Sequence, residues 1–244
     1  MTSLRRIQFV CLALACAATA KSQSIPGAVL AKNEPHHHLV YEDSTLRVLR
    51  VRVPAHDTTL LHEHDPDYFW IALGASTVTN AKLGAPDATI TSADLSIHYT
   101  AGNFAHVARN PGGVPFDNIT VELLEPQTGV RNLCEAALAD KPLDCRRASQ
   151  RSAMFIGAME HPAFATARRR VSLVTIPPNA TIRPGVPTKS AWLIALDTLD
   201  LARGLAVRNL GPWVGGTMRL PNDPTWRIQN QGGKSVRFVA FVEP

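Results

Sequence analysis

The segment TTLLHEHDPDYFWIAL, residues 58–73, sets two histidines one residue apart inside an apolar, β-branched run. Side chains of an extended chain alternate faces with a period of two, so His62 and His64 point one way and Glu63 the other. Two imidazoles on one face are the beginning of a metal site. Imidazole suits zinc, copper, iron and nickel, whereas manganese is more often served by oxygen donors. An H-x-H pair is also a frequent accident, so a further ligand must converge on it from elsewhere in the chain. With a nitrogen–metal bond of ~2 Å, rings that share an ion must lie within about 6 Å of one another.

The elements available to position such a site are short strands. TLRVLRVRV (45–53), YFWIAL (68–73), STVTNA (76–81) and ITVELL (119–124) are rich in aliphatic and aromatic residues and are separated by Pro, Gly, Asp and Asn. RVSLVTI (170–176), AWLIALDTL (191–199) and SVRFVAFVE (235–243) continue the pattern. It predicts an all-β antiparallel sandwich or barrel. LCEAALAD (133–140) and QRSAMFIGAMEH (150–161) read as helices bridging two halves.

The chain also repeats itself. PAHDTTLLHEHDPDYFWIAL (54–73) aligns without a gap with PPNATIRPGVPTKSAWLIAL (177–196), HVARNPGG (106–113) with WRIQNQGG (226–233), and LLEP (123–126) with FVEP (241–244). A period of about 120 residues is far longer than the ~20–50 of a solenoid unit and means a duplicated domain. The alignment sets His62 against Gly185, His64 against Pro187 and His106 against Trp226, while Asn110 and Asn230 and the following Gly-Gly pairs are kept. The positions that differ most in chemistry are the three that could hold a metal, which makes His106 the third candidate ligand. Of nine histidines, eight lie in the first half, His161 lies between the halves, and the second copy has none. Trp226 predicts a filled, metal-free second barrel with a structural task; a tryptophan-lined ligand pocket is the alternative.

The remaining candidates are subordinate. His36, His37 and His38 read as an exposed, flexible approach to the first strand, and His56 as a turn residue. His98 either flanks the pocket or points out. Glu122 is either an acceptor behind a metal ligand or a surface residue. Arg50 and Arg52 alternate with Leu49, Val51 and Val53 and so face away from the apolar side.

Composition bounds the setting. Arg5 and Arg6 precede the apolar run IQFVCLALACAA, and Ala18-Thr19-Ala20 offers a small-x-small cleavage site, so residues 1–20 read as a signal peptide. Losing them lowers the net charge from +5 to +3, too mild and too dispersed for a nucleic-acid footprint. No later stretch reaches the roughly 18 apolar residues of a membrane span. Cys134 and Cys145 then remain, flanking a loop short enough to close as a disulfide in an oxidising, periplasmic or secreted setting.

His62-x-His64 resembles the ligand pair of the first cupin motif, G-x5-H-x-H-x3,4-E-x6-G, and Gly102 with His106-x3-Asn110 resembles the second, G-x5-P-x-G-x2-H-x3-N. The whole chain is similar to a bicupin, more weakly in its second copy. It departs from the pattern at His56, which stands for the opening glycine, at Tyr68 or Phe69, which fill the acidic ligand's slot, and at Thr100, which stands for the proline. The resemblance implies two cupin-type β-barrels, or jelly rolls, joined by a partly helical linker. Residues 21–130 form the metal-competent barrel, 131–165 the linker with the Cys134–Cys145 disulfide, and 166–244 the degenerate barrel. It implies one divalent transition metal (Zn, Fe, Cu, Ni or Mn) on His62, His64 and His106. The missing carboxylate weakens the case for manganese. Tyr68 supplies a phenol near the metal or packs its ring, and Asn110, Glu122 and His98 stand around the site. The implied activity is that of a metal-dependent enzyme, of the dioxygenase or isomerase kind, on a small molecule. The rival is a non-catalytic binding or sensing module with a structural metal. The resemblance also implies a homodimer paired through barrel edges.

Overall fold

A computed structural model describes residues 24–146, 153–186, 189–198, 201–203 and 213–243. The expected signal peptide lies outside the described residues. The fold is all-β. In the first half the strands are β1 (Val29–Leu30), β2 (His37–Glu42), β3 (Leu46–Val53), β4 (His62–His64) and β5 (Tyr68–Ala72), followed by β6 (Ser76–Lys82), β7 (Ala88–Ser92), β8 (Ile97–Thr100), β9 (Phe104–Arg109) and β10 (Phe116–Leu123). They form two five-stranded sheets, β1-β4-β9-β6-β7 and β2-β3-β10-β5-β8.

The second half contributes β11 (Arg131–Asn132), β12 (Phe155–Ile156), β13 (Met159–Ala165), β14 (Arg170–Ile176) and β15 (Thr181–Pro184), then β16 (Ser190–Ala195), β17 (Leu201–Arg203), β18 (Thr217–Leu220), β19 (Ile228–Asn230) and β20 (Val236–Glu243). Its sheets run β11-β13-β14-β20-β16-β18 and β12-β15-β19-β17. The order β13-β14-β20-β16-β18 reproduces β2-β3-β10-β5-β8 strand for strand.

One side chain carries the repeat into atomic detail. Asn110 Nδ2 donates to the carbonyls of Val53, Pro54 and Val114, and its Oδ1 accepts from Gly112 N. Asn230 does the same with Ile176, Pro177, Lys234 and Gly232. His56 and Asn179, equivalent in the alignment, both sit at left-handed φ, 61° and 59°. His56 is therefore a turn residue, as expected.

The helical reading of the middle segment is corrected. Residues 133–140 form turns and bends, because Asn132 Nδ2 takes the carbonyls of Leu138 and Lys141 and its Oδ1 takes Leu138 N, while the Cys134–Cys145 disulfide closes the loop. Within 150–161 the described residues hold two strand segments, Phe155–Ile156 and the start of Met159–Ala165, with a turn between them. Gly157 at φ 93° and Pro162 oppose a helix, and Met159–Ala165 pairs with β14 instead. Residues 131–165, expected as a linker, thus supply three strands to the second half's sheets.

The β2-β3-β10-β5-β8 sheet packs face to face with the six-stranded sheet of the second half. Leu46, Val48, Phe69, Ile71, Ile119 and Val121 share one buried cluster with Phe164, Val171, Trp192, Ile194, Val239 and Phe241. The opposite face of β3, β5 and β10 lines the interior of the first half, where Leu49, Val51, Tyr68, Trp70 and Phe116 are buried. Strand alternation divides these residues: odd positions of β10 meet the second half, and even positions look inward.

A histidine cluster as candidate metal centre

β4 and β9 place the expected ligands. Their antiparallel register sets His62 directly opposite His106, and His64 lies two residues along the same face of β4. The ring centroids are 4.3 Å apart for His62 and His106, 5.3 Å for His62 and His64, and 5.4 Å for His64 and His106. The structure therefore brings the three ring centroids within 5.4 Å of one another.

A fourth ring joins them from the facing sheet. His37 opens β2 and is buried, with its centroid 4.6 Å from His62 and 6.2 Å from His64. One ring nitrogen from each of His37, His62 and His64 lies within 4.8 Å of the other two. The reading of residues 36–38 as an exposed approach is corrected for His37; His38, the next residue, is exposed. A bulge between Leu39 and Tyr41 in the β2–β3 ladder interrupts the period-two count that would have pointed His37 inward.

Each ring is oriented in the same way. Nδ1 pairs with the Leu60 carbonyl in His62 (2.9 Å), with Glu122 Oε1 in His64 (2.9 Å), with Asn80 Oδ1 in His106 (2.7 Å) and with Glu34 Oε2 in His37 (2.6 Å). An acceptor at every Nδ1 assigns the proton to that nitrogen and leaves Nε2 with a lone pair, the arrangement that metal-ligating histidines adopt. The Nε2 atoms of His62 and His106 are buried without a hydrogen-bond partner among the described residues. An orphaned buried nitrogen costs about 1–3 kcal/mol, a cost that bonding to an ion would remove.

Electrostatics keep His37, His62 and His106 in the ligating form. Burial, reinforced by His37 and His64, pushes His62 down to about 3. Burial, with His62, His64, His37 and Lys82 nearby, holds His106 well below the ordinary imidazole range. Burial also lowers His37 against the opposing pull of Glu34. The acids behind the rings are ionised. Burial would raise Glu34, but hydrogen bonds from His37 and His36 bring it to about 2. Burial likewise opposes ionisation of Glu122, and its bonds to His64 and Arg47 prevail.

The rings border a cavity of about 60 Å³. Its walls include the polar groups of Asn80, Thr100, Asn118 and Thr120 and the apolar faces of Val51, Trp70, Val78 and Phe116. No Asp, Glu, Lys or Arg is among the described residues that line it. Tyr68 belongs to this wall. It stacks on His64 with centroids 4.1 Å apart and an interplanar angle of 20°, its hydroxyl meets Thr100, and burial raises its phenol above the ordinary range.

The other expected residues fall around the site. Glu122 stands behind His64, bridging it to Arg47, and is 1 % exposed. Asn110 is not at the cavity, because its four hydrogen bonds clamp the turn after β9. His98 stacks on Trp70 at 4.1 Å and bonds Ser96, outside the cavity wall. Glu63 faces away, accepting from Ile25 N. Gly102 permits a close backbone approach: a Cβ there would lie 2.3 Å from the Asp65 carbonyl oxygen. Sequence reasoning missed His37, its partner Glu34, and Asn80. Glu34, three residues before His37, was the available signal for a carboxylate–imidazole pair.

No protein-family model matches the sequence, and no curated protein does either. Solved structures do resemble it. Oxalate decarboxylase from Bacillus subtilis, as a variant, aligns with TM-score 0.53 at 12 % identity over 82 % of this chain and 69 % of that one. A second structure of that enzyme, described by its Mn(II) centres, gives 0.53 at 11 % over 85 % and 75 %. AerE from Microcystis aeruginosa gives 0.54 at 10 % over 86 % and 98 %. At such identities the likeness shows the fold alone.

Proposed function

We propose that this cupin-fold chain is an exported two-barrel metalloprotein. Its first barrel holds one divalent transition metal on His62, His64 and His106, and it acts as a metal-dependent enzyme on a small molecule. The observation that carries this reading is the set of buried imidazoles with Nδ1 tied to oxygen and, among the described residues, two Nε2 atoms without partners. An all-nitrogen donor set favours zinc, iron, copper or nickel over manganese. When bound, the ion supplies Lewis-acid or redox chemistry at the head of the cavity.

The chain's own residues do the rest. Asn118 and Thr120, hydrogen-bonded to each other at 2.8 Å, and Thr100 offer polar contacts for orienting a compact substrate. Trp70, Val51 and Phe116 exclude water from one side. The Tyr68 hydroxyl, next to Thr100, stays protonated and is available as a hydrogen-bond donor.

The second barrel is read as metal-free. At Gly185, aligned with His62, a Cβ would lie 2.1 Å from the Ala153 carbonyl oxygen, so no side chain fits. Trp226, aligned with His106, is buried in an apolar core. The recurring sheet order and the paired Asn110 and Asn230 clamps support the two-barrel reading. The disulfide supports export, and a mature protein recovered from a periplasmic or culture fraction should begin at Lys21.

Elemental analysis of protein purified without added metal tests the centre: about one equivalent in wild type and little in His62→Ala. Equal metal in both would refute it. A second reading, a binding or sensing module with a structural metal, is favoured by the absence of any Asp, Glu, Lys or Arg among the described residues of the cavity wall. Azide titration of the Co(II)-loaded protein separates the two. A spectral shift reveals an exchangeable position suited to catalysis, and an inert spectrum reveals a closed sphere.

A further inference from the structure

We infer that His37 is a fourth ligand of this ion, so that the centre is all-imidazole and the ion joins the two sheets of the first half; the inference rests on the metal-binding reading above. His62, His64 and His106 come from β4 and β9, neighbours in one sheet, whereas β2 is the edge strand of the other. The His37 ring nonetheless places a nitrogen within 4.8 Å of those of His62 and His64, close to the ~4.2 Å that separates two nitrogens on opposite sides of one ion.

The outer partner of His37 is built like that of His64. Glu34 Oε2 lies 2.6 Å from His37 Nδ1, as Glu122 Oε1 lies 2.9 Å from His64 Nδ1, and both carboxylates are 1 % exposed. Glu34 gathers four donors: His36 N, His36 Nδ1, His37 Nδ1 and Leu60 N. Among the described residues no lysine or arginine pairs with it. A buried carboxylate whose partners are imidazoles and backbone amides gains further from a divalent ion one ring away. Leu60 closes the arrangement, since its N–H binds Glu34 while its carbonyl binds His62 Nδ1. A single carboxylate thereby sets His37 directly and His62 through one peptide. The donor position that the cupin pattern gives to an acid, filled here by Tyr68 or Phe69, is recovered from a different strand.

The test compares wild type, His37→Ala, His38→Ala and His62→Ala as full chains loaded with Co(II). Affinity is read by chelator competition, coordination by the visible spectrum, and strand protection by hydrogen exchange over residues 37–42. His37→Ala should bind at least about ten-fold more weakly, with an altered spectrum and without the metal-induced protection of 37–42. His38→Ala should match wild type. If His37→Ala equals wild type in affinity and spectrum while His62→Ala loses the ion, the fourth ligand is refuted and the metal reading stands. If wild type and His62→Ala bind alike, the metal reading falls and takes this inference with it. Should His37→Ala fail to fold, Glu34→Gln carries the test: weakening of about ten-fold supports the inference, and unchanged affinity and spectrum overturn it.

Discussion

At the scale of the residue, Glu122 has to satisfy two partners at once. One oxygen holds His64 Nδ1 and the other meets Arg47, which also reaches Glu42. The carboxylate fixes the ring's rotation, and it is itself held ionised by its bonds to His64 and to a cation on the far side. Glu122→Gln keeps the shape and weakens the polarity. Metal affinity should fall by about 10–100-fold in chelator competition, with the far-ultraviolet circular dichroism unchanged, because Arg47 retains Glu42. An affinity equal to wild type would mean that Glu122 serves only Arg47.

At the scale of the element, the two asparagine clamps are natural controls for each other. Each removes four backbone polar groups from the list of those needing water. Asn110→Ala and Asn230→Ala should each destabilise by about 2–3 kcal/mol in urea unfolding. They share no partner, so the double variant should lose close to the sum. Metal content should survive Asn230→Ala. Strand faces explain which residues could be read in advance. His62 and His64 were legible because β4 is short and their shared face follows from spacing alone. Glu122 was not: β10 is buried on both sides, with Ile119, Val121 and Leu123 against the second half and Phe116, Asn118 and Thr120 against the cavity. Hydrophobic alternation says nothing about direction where neither face is wet. His37 was lost to a bulge, a one-residue shift that inverts every inference beyond it. The duplicated strands were legible as pattern, while the extra strands of 131–165 were hidden by alanine-rich stretches whose helical propensity yields to tertiary pairing.

At the scale of the molecule, polar contacts stitch the halves around their shared apolar seam. Trp192 Nε1 donates to Asp43 Oδ2 at 3.1 Å, and Arg237 joins Asp197 within its own half to Asp94 in the other. Burial would raise Asp43, but the N–H groups of Thr45 and Leu46, Tyr41 and Trp192 hold its carboxyl below the ordinary 3.8. A folded value below the unfolded one adds stability that is complete above pH 3.8 and is lost as pH falls through the depressed folded value. Between pH 5 and pH 3, wild type should therefore lose more unfolding free energy than Asp43→Asn. Parallel losses would remove Asp43 from the acid response.

The apolar seam between the halves also bears on how the chain could be cut. Phe69, Ile71, Ile119 and Val121 on one side and Trp192, Ile194, Val239 and Phe241 on the other have no wet surface to fall back on. A fragment ending near residue 128 would bare an oily wall, and so would its complement. Expressed separately, both should precipitate; produced in the same cell, they should find each other and reconstitute a soluble heterodimer, making this chain a candidate for split-protein reporters.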